Sequence, residues 1–337
     1  MTMCAGTKRG NSGADENGYG EARQCTNQAD VANVPRFANV ATFMRVGLRD
    51  NPEGLDIAMF GVPFDLGSSF RSGARHGPAQ IREMSRLIRE VNYMTGVAPF
   101  HKCRIADIGD APINSLDIDK SLQGIEEFVL RIVASGARPL AAGGDHTITL
   151  PILRAVARDT PVALVQIDAH SDTQDLMLGR KIANGTIIRR AVEECLLEPH
   201  LVFQVGIRGT LFDLEELTWA RDIGITIFDM ADLDELGAGE TASRIRSAIG
   251  ERPTYLSFDI DALDPSIAPG TGGLEPGGLT YREASRLLHG LRGLEFIGAD
   301  VVEVCPPLEP GTLTATVGCN IMFEELCLLS RSLGKCS

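Results

Sequence analysis

Apolar residues in this chain gather into short, nearly continuous runs, and between those runs they recur every third or fourth position. The runs Leu55–Val62, Cys103–Ile108, Arg138–Ala142, Val162–Ile167, Leu201–Ile207, Ile225–Phe228, Thr254–Phe258 and Phe296–Val304 have the length and character of strands buried on both faces. The spaced stretches Pro78–Val91, Ser121–Ser135, Thr147–Arg158, Ile188–Leu196, Leu211–Asp222, Thr241–Ile249, Tyr281–Leu291 and Thr314–Leu329 read as helices, the first with a proline in its opening turn. Strand and helix alternate, which predicts an α/β fold with a mostly parallel sheet covered on both faces. Eight such strands can also close into a barrel. In either arrangement, ligands belong at the carboxyl ends of the strands. No internal repeat or domain-sized linker interrupts the pattern, so residues 34–337 read as one domain. Residues 1–33, rich in Gly, Asn, Ala and charge, predict a flexible tail. The segment from Pro35, with Phe37, Phe43 and Met44, reads as an arm packed on the body or on a neighbouring subunit.

Three of the apolar runs end in the same chemistry. Val162–Ile167 leads into Asp168, His170 and Asp172, which in an extended chain project to one side. Arg138–Gly144 is followed by Asp145 and His146, where paired glycines permit a tight turn and Asp145 suits a helix cap. Thr254–Phe258 is followed by Asp259 and Asp261 on one face, then by Asp264 beside Pro265, which suits a turn better than a ligand. The pooled set His146, Asp168, His170, Asp172, Asp259 and Asp261 offers two imidazoles and four carboxylates, and four negative charges balance two divalent cations. Oxygen-rich ligation without thiolate suits Mn²⁺. The Gly/Pro-dense loop IAPGTGGLEPGGL carries Glu275, a carboxylate able to accept paired hydrogen bonds from a planar cation such as guanidinium. Asp107 and Asp110 end another strand and read as structural.

Composition adds constraints. The net charge of −13 argues against nucleic acid or an anionic membrane surface as partner and is compatible with a cationic substrate. No apolar run of membrane-spanning length and no signal-peptide core is expected. The eight cysteines are scattered without C-x-x-C spacing, as reduced thiols of a cytoplasmic protein would be.

GGDHT at Gly143–Thr147, DAHSD at Asp168–Asp172 and SFDIDALDP at Ser257–Pro265 resemble the ureohydrolases, the arginase and agmatinase family. The similarity runs from about Pro35 to the C-terminal helix, through GVPFDLGSSFRSGARHGPAQIRE, EPGGLTYRE and GADVVEVCPP, and fits the agmatinase-like branch better than true arginases. The resemblance implies a three-layer α/β/α fold with an eight-stranded sheet, two Mn²⁺ ions (Ni²⁺ being the main alternative) bridged by a hydroxide, and trimers or hexamers. It places one ion on His146, Asp168, Asp172 and Asp259, and the other on Asp168, His170, Asp259 and Asp261. It assigns Glu275 to the guanidinium group, and in the chemistry this suggests Asp172 is placed to take the hydroxide proton and pass it to the leaving amine. The chain departs from the family where a His-Gly-Thr triplet is usual: here stand Asn184-Gly185-Thr186, and an amide cannot shuttle protons. Leu274 also replaces a usual proline. These departures point to a shifted substrate (a guanidino acid, an N-substituted guanidine or a biguanide), with an ordinary agmatinase as the alternative. A non-catalytic subunit partnering a homologous second chain is the alternative of another class.

Overall fold

The structure is a computed structural model and describes residues 34–334; the tail expected over residues 1–33 lies outside the described residues. In chain order the elements are β1 (Ile57–Gly61), α1 (Gly77–Ser85), α2 (Pro99–Lys102), β2 (Ile105–Asp110), α3 (Ile118–Ala134), β3 (Arg138–Ala142), α4 (Thr149–Val156), β4 (Val162–Ile167), α5 (Ile187–Glu193), β5 (Leu197–Ile207), α6 (Glu215–Asp222), β6 (Thr226–Asp229), α7 (Met230–Ile249), β7 (Pro253–Asp259), α8 (Tyr281–Gly290), β8 (Glu295–Val302) and α9 (Leu313–Ser332). The strands form one sheet in the order β2-β1-β3-β8-β7-β4-β5-β6, and every pair is parallel. The edge strands β2 and β6 do not meet, so the sheet is open and the barrel is excluded.

Alternation along each strand builds two cores. Ile57 and Met59 of β1 face the layer holding Ile81 of α1, Ile245 of α7, Leu287 of α8 and Ile321 of α9. Ala58 and Phe60 face the layer holding Ile125 of α3, Ile152 of α4 and Ile187 of α5. This is the expected three-layer α/β/α arrangement, with strands apolar on both faces because both are covered.

Several boundaries differ from the periodicity. Helix α1 stops at Ser85, short of Val91, and Arg86 at its end binds the carbonyls of Arg36, Ala38 and Asn39. The arm is therefore packed on the body, with Phe43 and Met44 fully buried. Helix α7 starts at Met230, capped by reciprocal Asp229 and Asp232 bonds, and Gly237 at φ 75° breaks it before the expected start at Thr241. Helix α6 begins at Glu215 rather than Leu211. Finally, α9 is long enough and apolar enough to cross a membrane by length and composition, contrary to expectation; 83% of its most apolar window is instead buried inside the fold, where it packs on α1, α8 and β8.

Candidate metal centre

Three neighbouring strand ends deliver the candidate ligands. After β3, a Cβ on Gly144 would overlap the Phe64 carbonyl, so only glycine permits this close turn. Asp145 then caps the short 3-10 turn His146–Ile148, accepting from Thr147 N at 2.9 Å and from Gly67 N at 2.7 Å. After β4, Asp168 accepts from His170 N at 2.6 Å and from Gln166 Nε2 at 2.7 Å. Asp172 adopts φ 53°. The alternation read from the sequence therefore fails after His170: the left-handed residue turns the Asp172 carboxylate toward His146. After β7, Asp259 accepts from Asp261 N at 2.9 Å as the chain enters another 3-10 turn.

The result is two histidine–carboxylate groups that share Asp168. His146 Nδ1 lies 3.1 Å from Asp168 Oδ2, 2.9 Å from Asp172 Oδ2 and 3.3 Å from Asp259 Oδ2. His170 Nδ1 lies 3.0 Å from Asp261 Oδ2 and 3.7 Å from Asp168 Oδ1. His146, Asp168 and Asp172 on one side, and Asp168, His170 and Asp261 on the other, each converge tightly enough to share an ion.

The electrostatics show why a cation fits. His146 Nδ1 is buried with no hydrogen-bond partner although three carboxylate oxygens surround it. Burial and the charges of Asp261 and Asp168 push the Asp259 carboxyl well above its usual range. Burial and the Asp168 charge push Asp172 up to about 6. Burial also opposes the charge of Asp168, yet hydrogen bonds to His146 and His170 hold its carboxyl well below the ordinary value. The Asp261 charge raises His170 against the opposing effect of burial. So many buried carboxylates need compensating positive charge, and the donor set has the oxygen and imidazole chemistry of a hard divalent ion.

A cavity of about 270 Å³ opens over these groups. Glu275 reaches it from the Gly-rich loop, with Oε1 4.0 Å from His170 Nε2. Gly209, at φ +80°, lies so close to this carboxylate that a Cβ there would overlap it. Asn184 lines the wall, donating to Glu303 Oε1 at 3.3 Å. Neither His76, His101, His200 nor His289 lines the cavity, so no other histidine takes the place of the missing one. Asp264 is a turn residue, accepting from Ser266, Gly277 and Gly278. Asp107 and Asp110 are clamped by Arg82 of α1 outside the cavity.

The sequence reading missed three residues here. Glu303 follows β8 at φ 63° and accepts from His146 N at 2.9 Å; burial and the Asp145 charge push its carboxyl up to about 8. Arg208 follows β5 and donates to the carbonyls of Asp261 and Glu275, each at 2.7 Å, tying the Gly-rich loop to a candidate ligand. Arg71 holds the same loop through Thr271 O and Gly272 O. Glu303 and Arg208 were hidden at strand ends, although a lone charge closing an apolar run is the signal that marks Asp168.

Comparison with known proteins agrees with this geometry. The sequence profile of the arginase family matches residues 55–327. Guanidinopropionase from Pseudomonas aeruginosa is 47% identical over 307 residues, 91% of this chain and 96% of that protein. Guanidinobutyrase from the same organism is 44% identical over 300 residues, 88% of this chain and 94% of that protein. Among solved structures, proclavaminate amidino hydrolase from Streptomyces clavuligerus superposes with a TM-score of 0.85 at 38% identity, over 89% of this chain and 100% of that one.

Proposed function

Because the chain belongs to the arginase family, we propose that it is a binuclear-metal ureohydrolase that cleaves a guanidino C–N bond to give urea and an amine. The observation that carries this reading is the pair of histidine–carboxylate groups sharing Asp168 beneath a cavity that also presents Glu275. In it, His146, Asp168, Asp172 and Asp259 would hold one divalent ion, and Asp168, His170, Asp259 and Asp261 would hold the other, with Mn²⁺ first and Ni²⁺ the main alternative. When bound, two such ions supply activated water near neutral pH.

The remaining roles belong to side chains. The guanidinium is planar and cationic, and Glu275 accepts its N–H groups while Arg208 fixes the backbone of Glu275. Glu303 is a second carboxylate on the cavity wall, and a bound cation favours its ionised form. Addition of water to the guanidino carbon releases a proton. Asp172, a carboxylate lining the cavity beside His146, is suited to accept that proton and deliver it to the leaving amine nitrogen as the C–N bond breaks. Asn184 takes part through hydrogen bonds alone. Phe70, Met177 and Phe212 give the outer cavity an apolar lining for a substituent.

The substrate proposed is a guanidino acid, an N-substituted guanidine or a biguanide. Names of the similar proteins support the first, and Asn184 supports a departure from agmatine. An ordinary agmatinase is the second reading, favoured by Glu216, whose carboxylate lines the cavity and suits a tail ammonium. A urea-release screen over guanidino compounds with metal-loaded protein tests both, and release from none of them would leave only a non-catalytic subunit. The same proposal takes residues 34–337 as one catalytic domain, assembled as a trimer or hexamer, alone or with a homologous second subunit. A cytoplasmic setting is supported by free thiols at Cys195, Cys305 and Cys319.

A further inference from the structure

Behind His146 a hydrogen-bonded chain runs away from the cavity into the sheet. His146 Nε2 lies 2.9 Å from Ser257 Oγ of β7. That hydroxyl donates to Asp300 Oδ1 of β8 at 2.6 Å. The other oxygen, Oδ2, accepts from Tyr255 OH at 2.7 Å and from Thr149 Oγ1 at 2.8 Å. All four of these partners are fully buried. Asp300 lines no part of the cavity, so it does not reach a substrate.

A hydroxyl has a single proton. Ser257 gives its proton to Asp300, so toward His146 it acts as acceptor, and the hydrogen sits on Nε2. The lone pair of a neutral His146 is then on Nδ1, the atom surrounded by Asp168, Asp172 and Asp259. His170 has no such backing: its Nε2 faces the cavity and Glu275.

We infer that Asp300 is a positioning residue which, through Ser257, fixes the tautomer and ring orientation of His146. It thereby sets the divalent-cation affinity of the His146–Asp168–Asp172 group without affecting the His170–Asp261 group. Support behind a ligating imidazole typically changes metal affinity ~10–100-fold. This inference rests on the binuclear reading above.

The test is calorimetric titration of the metal-free full chain with Mn²⁺, for wild type, Asp300→Ala, Ser257→Ala and the double variant. The expected result is that each single substitution weakens one of two binding events by ~10–100-fold and leaves the other unchanged. The double variant should lose no more than either single one, because both cut the same chain of bonds. Equal weakening of both events, no weakening, or additive losses would overturn the inference. If Asp300→Ala does not fold, as judged by circular dichroism, Ser257→Ala decides alone by the same criterion. A wild type that binds fewer than two ions overturns the binuclear reading and this inference with it, and is recognised without any variant.

Discussion

The two histidines at the cavity floor occupy contrasting halves of one site. His146 has 1% of its side chain exposed and its far nitrogen on Ser257, whereas His170 has 38% exposed and faces Glu275 and open space. One half is enclosed in the sheet, and the other is part of the wall a substrate would touch. The contrast teaches that a site with two cation-ready groups can divide its work. The enclosed half keeps fixed geometry through bonds to two strands, β7 and β8, and the open half keeps access. Asp168 joins the halves, so damage there cannot be confined to either.

The largest effect should follow from removing that junction. Asp168→Ala is expected to bring urea release to background and to abolish both cation-binding events, and Asp259→Ala to do the same if it bridges as proposed. Elemental analysis alongside activity checks this, and a variant that keeps one ion and full activity would break the division. Loss of the ions should also lower the melting temperature, since a ligand bound only by the native state at ~100 times its Kd contributes ~2.7 kcal/mol. Chelation of wild type, followed by differential scanning fluorimetry, measures that contribution directly.

Asn184 comes next. Asn184→His restores a proton-transferring ring beside Glu303, and general acid–base groups contribute ~10²–10⁴-fold in rate. The substitution is expected to raise kcat/KM for agmatine relative to guanidinopropionate, guanidinobutyrate and a dimethylbiguanide. An unchanged ranking with agmatine already best would make Asn184 a neutral replacement.

The third effect separates the two wall carboxylates. Glu275→Gln removes an acceptor on the open side, and Glu303→Gln one beside the enclosed side. A charge-assisted hydrogen bond contributes ~1.5–3 kcal/mol, or ~10–100-fold. Glu275→Gln should appear chiefly in KM. Glu303→Gln should also lower kcat, because Glu303 holds the backbone of His146. Equal KM effects with intact kcat would show that both simply bind the guanidinium.

The legible part of the molecule was the part where chemistry interrupts a pattern. Apolar strands buried on both faces announce themselves, and Asp168, Asp259 and His146 stand where such runs stop. The sequence did not disclose how the chain leaves the strand. Strand alternation alone put Asp172 beside His170, whereas the resemblance grouped it with His146, as the structure does with a left-handed backbone angle at Asp172. Glu303 and Asp300 were missed because both were absorbed into the apolar run ending at Val304, although β8 stops at Val302. The start of α7 was concealed by Gly237, whose non-helical angles kink the chain and break the periodicity there.

The smallest effect concerns the loop that carries Glu275. Asp264 accepts from Ser266, Gly277 and Gly278, and the Ser266 hydroxyl leads in holding its carboxyl down to about 2, from an ordinary 3.8. A depressed carboxyl favours the native state above its unfolded value, and that contribution is lost as pH falls through the folded one. The stability gap between wild type and Asp264→Asn should thus be full above pH ~4 and close toward pH ~2. Urea unfolding across that range checks it, and a gap independent of pH would show that Asp264 acts by shape alone.

The strand order carries a consequence for how the protein comes into being. His146 lies in the turn after β3 and Asp259 ends β7, and the strand between them in the sheet is β8, the last strand in chain order. Until β8 slides into that gap, β3 has no neighbour on its inner side, and His146 belongs to a different half-sheet from Asp168, His170, Asp172, Asp259 and Asp261. The His170–Asp261 group can therefore assemble first, while the enclosed half of the site is complete only once the last strand is in place.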